Sequence, residues 1–417
     1  MTTANSKELK IGGGFLVFGQ GFQAVLAFAV NLVLVRYIFP EEFGRFAIIL
    51  AGASIVYTIL SPRLNILIIR KAEADLDGAT KDIYFSALAY ETVVATLIIF
   101  LWMAATNSLG QWEAMLVLAV GLRHWTGVNR AFFERSMPFR KLAIIETGAS
   151  MVGHLAALGL VLMGGGWVVL FVREMIVSII GLLGLWKIGG LTWRTIQPLS
   201  WTDMRTLFAE ARGGWLDGVL EGSFQRLTIL LASLIGGEAT AGYFFQAQRL
   251  AIVPHQIISP ITDRIMAVWF GRTEDRWRRR AGRNRVLIYM FFPLFVAGVL
   301  TVLFAEPVIP WLFGETWAPI VDIVIALSGM LVFLSLFETL KSYCLTARHA
   351  HKILVGRAVQ YAGLFFMTAL GFTSLMHADI SLGLGLSVAY SASFIVVLFL
   401  LLKDEKTWES VSGDEQQ

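Results

Sequence analysis

Apolar runs long enough to cross a bilayer recur from one end of this chain to the other, and that recurrence limits the fold before any other feature is weighed. A helix needs roughly 20 apolar residues to span a hydrocarbon core, and there only helices and closed barrels satisfy the backbone's hydrogen bonds. Candidate spans fall at 12–35, 44–69, 83–106, 113–133, 142–163, 167–186, 214–235, 241–266, 286–305, 319–345, 353–375 and 380–402. The expected fold class is an all-α polytopic membrane protein of about twelve transmembrane helices. Composition agrees, because 15% charged residues is well below the roughly 25% of soluble domains. The first run is longer than a signal-peptide core, so it reads as an uncleaved span.

Charge in the connections is one-sided. Lys7, Lys10, Arg70, Lys71, Lys81, Arg135, Arg140, Lys141, Lys187, Arg194, Arg205 and Arg212 fall in alternate connections, and the pattern continues through Arg276 to Lys406. The opposite connections (107–112, 164–166, 236–240, 306–318 and 376–379) hold no lysine or arginine, and only Arg36 in 36–43 departs from the rule. The positive-inside rule then places both termini in the cytoplasm, with the chain in a bacterial inner membrane. Trp112, Trp167, Trp311 and Trp317 sit at the expected outer boundaries, where amphipathic indoles favour the interface. A single cysteine, Cys344, excludes an intrachain disulfide, and His349 and His351 read as a basic turn rather than a metal site. No GxxxxGK[ST] loop and no polar basic domain occur, so neither a nucleotide cofactor nor nucleic acid is expected.

The polar, basic connection 187–213 divides the chain into an N-terminal six-helix lobe (1–186) and a C-terminal one (214–403), followed by a polar tail (404–417). Two segment pairs correspond across that division. Phe39-Pro40-Glu41-Glu42-Phe43-Gly44-Arg45-Phe46 answers Gly236-Gly237-Glu238-Ala239-Thr240-Ala241-Gly242-Tyr243-Phe244. Each is an acidic hairpin leading to a glycine and an aromatic. Basic elbows then recur at 134–141 and 347–352. The matching order points to a parallel duplication, an arrangement that encloses a cleft between lobes.

The hairpin beginning Arg36-Tyr37-Ile38-Phe39-Pro40, the stretch Gly237-Glu238 to Gly242-Tyr243, the motif Leu312-Phe313-Gly314-Glu315-Thr316-Trp317-Ala318-Pro319 and the six-plus-six layout carry a resemblance. By these features the chain resembles the polysaccharide-transporter branch of the multidrug/oligosaccharidyl-lipid/polysaccharide (MOP) exporter superfamily, the Wzx-type O-antigen flippases. The resemblance implies two pseudo-symmetric bundles in a V, as in MATE transporters. It also implies an oligosaccharide on a polyprenyl diphosphate as cargo, membrane lipids as surroundings, a polysaccharide polymerase as downstream partner, and no enzymatic step.

Intramembrane polar residues are the candidate site, since a charge at mid-bilayer costs about 2.5–3.5 kcal/mol on insertion scales. Arg123, Gly127, Arg130 and Glu134 share one face of the fourth span. Arg123 is expected either to fork onto a phosphate or to pair with Glu91 or Glu146. In the seventh span Gly214, Gly218 and Gly222 form a small-residue face extended by Arg226, beside a stripe of Asp217, Glu221 and Gln225. Gln20, Gln23 and Asn31 line the first span and Gln246 and Arg249 the eighth, while Glu338, Lys341 and Arg348 share a face of the tenth. Arg173 and Glu174 are adjacent and are expected to point apart. The reading takes Arg123, Arg130, Arg173, Arg226 and Arg249 as contacts for an anionic head group. It takes Glu91, Glu146, Asp217, Glu221 and Glu338 as candidate proton or sodium sites. A multidrug or cation exporter of the same superfamily is the nearest alternative and would want an acidic cavity instead. A membrane glycosyltransferase, ligase or polymerase is disfavoured by the short outer connections.

Overall fold

The computed structural model describes residues 3–136, 139–261, 269–270, 273, 275–347, 349–373 and 377–414, apart from the side chains of 3–18, 20, 139, 213, 257, 259–261, 378 and 406–414. Arg348 and the side chain of Gln20 therefore lie outside the described residues. Among those described, every regular element is helical: α1 (Thr3–Tyr37), α2 (Pro40–Leu60), α3 (Leu64–Arg70), α4 (Gly78–Ala105), α5 (Gln111–Glu134), α6 (Phe139–Leu162) and α7 (Val168–Lys187), then α8 (Trp201–Ile261), α9 (Arg276–Phe313), α10 (Ile320–Ala326), α11 (Ser328–Thr346), α12 (Ala350–Phe372) and α13 (Ala378–Asp414).

Eight of the described helices are long and apolar enough to cross a membrane, and the pair α10–α11, bent by 41°, makes a ninth span. Gly236 and Gly237 leave helical geometry inside α8 and divide it in two. The remaining candidate spans are α1, whose described part Gly21–Tyr37 is a shorter apolar helix, and α5, which carries Glu113, Arg123, Arg130 and Glu134. The expected count of about twelve is thus recovered.

Two expectations are corrected. The span drawn through 44–69 breaks: Ser61 N–H closes α2 on Tyr57 O at 3.0 Å, Pro62 follows, and Arg63 adopts a left-handed φ of 57° before α3. Proline has no N–H to continue the ladder and crowds the preceding turn. Trp317, expected at an interface, is 1% exposed and packs against Tyr243 and Phe313 at centroid separations of 5.8 and 6.4 Å. The connection 187–213 is tied to its neighbours by hydrogen bonds. Asn129 brackets Thr192 (Nδ2 to O 2.9 Å, N to Oδ1 2.8 Å), Ser86 Oγ accepts from Gln197 N at 2.9 Å, and α8 starts from a Ser200–Asp203 cap. Those polar residues satisfy helix ends and a buried amide, which strings of loop composition do not reveal.

The chain divides into two compact units, Met1–Gly242 and Tyr243–Gln417. Inside the first, the two hairpins paired in the sequence pack on each other reciprocally. A Cβ on Gly44 would lie 1.7 Å from Glu238 O, and one on Gly242 would lie 1.9 Å from Pro40 O. Each glycine thus meets the residue four places before the other, and only a bare Cα permits that approach.

Candidate functional site

The break at Ser61-Pro62-Arg63 opens a cavity within the first unit. Its volume is about 450 Å³, within the usual range for ligand sites. It is lined by α2 through Ser54, Tyr57 and Thr58, by the break through Ser61 and Arg63, by α5 through Arg123, His124, Gly127 and Arg130, and by α8 through Gly218, Gly222 and Arg226. Four guanidinium groups and one imidazole line it, and among the described residues no carboxylate does.

The small residues of α8 explain how these groups converge. Arg63 Nη1 donates to Gly214 O at 3.3 Å, and a Cβ on Gly218 would stand 2.3 Å from that nitrogen. One on Gly222 would stand 2.9 Å from Thr58 Cγ2. The glycine face is therefore the seat of Arg63 and the wall of α2. Arg226, one further turn along, donates to Gly222 O. Neither Arg63 nor Arg226 has a carboxylate partner among the described residues.

The other two arginines are tethered. Arg123 pairs with Glu174 of α7, not with Glu91 or Glu146, yet its side chain remains 49% exposed. Arg130 is held by Glu134 (2.9 Å) and by Glu146. Arg173 and Glu174 do not point apart. Arg173 Nε and Nη2 reach Glu174 Oε1 at 3.2 and 2.8 Å, and the guanidinium lies 5.8 Å from the Phe46 ring centre. Long side chains on neighbouring residues can bend back toward one another when burial in a crowded interior rewards it. Arg173 thus lies buried behind Glu174, and that carboxylate anchors Arg123 at the cavity wall.

Other candidates lie elsewhere. Asp217, Glu221 and Gln225 are half-buried on the neighbouring stripe of α8 and do not line the cavity. Gln23 Nε2 donates to Thr147 Oγ1 at 3.0 Å, and Asn31 is buried. In the second unit Gln246 is fully buried and Arg249 stands 5.7 Å from the Phe245 ring centre. There Glu338 accepts from Lys341 Nζ at 2.9 Å and Arg357 Nη2 at 3.3 Å. Glu91 is buried against His124. Sequence reasoning missed Arg63, Tyr57 and His124. A proline followed by a cation inside an apolar run was the available signal for Arg63.

The family described as "Polysaccharide biosynthesis protein" matches residues 33–322. The succinoglycan biosynthesis transport protein ExoT of Rhizobium meliloti (strain 1021) is 24% identical over 349 residues, covering 80% of this chain and 69% of that protein. Among solved structures, the lipid II flippase MurJ in an inward closed conformation superposes with a TM-score of 0.70 at 13% identity, over 92% of this chain and 86% of that one. An inward-facing multidrug resistance MATE family transporter of the MOP superfamily gives 0.67 at 14% identity, over 94% and 96%. These structures share the fold, which is that of MOP-superfamily transporters.

Proposed function

This chain belongs to the polysaccharide biosynthesis protein family, and from that premise we propose that it flips a lipid-diphosphate-linked oligosaccharide across the bacterial inner membrane by alternating access. One observation carries the reading: Arg63 and Arg226 face a cavity without a carboxylate to answer them. A half-buried guanidinium such as that of Arg226, left without a counter-ion, is costly, and an anion entering the cavity removes that cost. Phosphate suits the arrangement, because arginine donors match its oxygens in pairs.

Arg63, Arg123 and Arg226 bind the diphosphate, and Arg130 receives it at the cytoplasmic mouth. Ser54, Thr58, Ser61 and Asn65, which also line the cavity, offer hydroxyl and amide partners to the first sugars. The polyprenyl tail stays in lipid, so only the polar head needs the wet path. Arg173 holds Glu174 and through it Arg123. Both termini are cytoplasmic, and a polymerase takes the cargo at the outer face. A name for succinoglycan transport on one relative supports glycan export. The cation-exporter alternative requires a cavity lined by acids, and this one is lined by bases.

The test is glycan export in cells that depend on this protein. The double substitution Arg63→Ala/Arg226→Ala should insert and fold normally yet stop export, with lipid-linked precursor accumulating inside. Normal export by that variant would reject the assignment.

A further inference from the structure

Glu91 is the least satisfied acid near the cavity. Its side chain is 6% exposed, one oxygen pairs with His124 Nε2, and the other is out of solvent without any hydrogen-bond partner. His124 lines the cavity and lies against Tyr57, ring centres 4.5 Å apart, and the Tyr57 hydroxyl is held by Thr96 Oγ1 at 2.8 Å. An ionised carboxylate beside a neutral imidazole leaves a net negative charge in the interior, with one oxygen unanswered. One added proton cancels that charge, whichever of the two side chains carries it.

The surroundings decide when this proton is welcome. Tyr57 of α2 stacks on His124, and the charged groups that line the cavity with it are Arg63 from the break, Arg123 and Arg130 from α5, and Arg226 from α8. Behind them, Glu174 and Arg173 of α7 stand at Arg123, while Glu134 of α5 and Glu146 of α6 stand at Arg130. With Arg123 and Arg130 answered by those acids, Arg63 and Arg226 leave the empty cavity cationic, which opposes further positive charge. A phosphate-bearing head group reverses that field.

We propose that His124 and Glu91 form a proton-binding pair linked to the anion in the cavity, so that arrival of the head group draws one proton from water onto the pair and its departure returns it. The inference rests on the reading of the cavity as an anion site. Linkage makes the effect reciprocal: protons tighten anion binding as much as the anion tightens proton binding. Affinity then rises as pH falls through the titration of the pair, by up to about tenfold per pH unit.

Farnesyl diphosphate titrated into the purified full-length protein tests this by calorimetry in PIPES and in Tris, buffers of different ionisation enthalpy. The wild type should take up a proton on binding and bind more tightly at lower pH. His124→Gln and Glu91→Gln should bind without proton uptake and without the pH slope. Binding by the wild type with buffer-independent heat overturns the proton pair while leaving the anion site standing. Absence of binding, or equal binding by Arg63→Ala/Arg226→Ala, overturns the cavity reading instead. Histidine-labelled NMR gives a ligand-free check. The resonance missing from His124→Gln should change its chemical shift in Glu91→Gln, and an unmoved resonance overturns the pair.

Discussion

The buried cations of one compact unit and two cavity-lining arginines of the other are held differently. In Tyr243–Gln417, Glu338 answers Lys341 and Arg357, Arg357 reaches Gln360 Oε1 at 3.1 Å, and Gln360 Nε2 reaches Ser393 Oγ at 3.2 Å. Arg283 forks onto Glu405 at 2.6 and 3.2 Å, with Arg280 on the same carboxylate at 3.0 Å. In Met1–Gly242, Arg63 and Arg226 are met by backbone carbonyls and no carboxylate. Acid-matched networks fasten helices together, whereas guanidinium groups left open to a cavity keep binding capacity in reserve. Intramembrane arginine alone is therefore no mark of a transport site. The informative feature is an arginine whose counter-charge is missing.

The contrast is broken most severely if charge removal has like effects on both sides. Arg63→Ala/Arg226→Ala should reduce export by orders of magnitude while the melting temperature in detergent stays close to wild type. Glu338→Ala should do the reverse. Removing one partner of a buried ionic network costs about 3–5 kcal/mol, so the yield of folded protein and the melting temperature should fall, while export per folded molecule persists. Export lost without destabilisation in Glu338→Ala would move that acid into the transport machinery. A subtler test is Gly218→Ala, which places a methyl group where Arg63 Nη1 now sits. The side-chain tip can swing aside, so stability should change by less than about 1 kcal/mol, and export should drop several-fold. Smallest of all, Ser200→Ala removes the cap of α8 and should cost about 1 kcal/mol by thermal unfolding, with transport unaffected.

Much of the fold is legible in the sequence because bilayer insertion depends on local hydropathy. Helix positions and the stripe Arg123–Gly127–Arg130 follow from spacing along one helix. The glycines of α8 likewise announce a close approach, though not what approaches. The 61–63 break was readable in principle from Pro62. The Arg173–Glu174 pair was misread because adjacency along a helix separates Cβ directions but does not bind the ends of long side chains. Trp317 was assigned to an interface by its position near a span end, whereas the Phe313 and Tyr243 rings enclose it.

By itself the sequence determined that this chain is a stack of membrane helices carrying many more arginines than hydrocarbon tolerates unassisted. Tertiary structure alone decided which of those arginines find an acid. Hydropathy is summed over a single helix, but an ion pair needs a carboxylate from another helix at the right depth and rotation. Glu174 reaches Arg123, Glu146 reaches Arg130, and no described acid reaches Arg63 or Arg226.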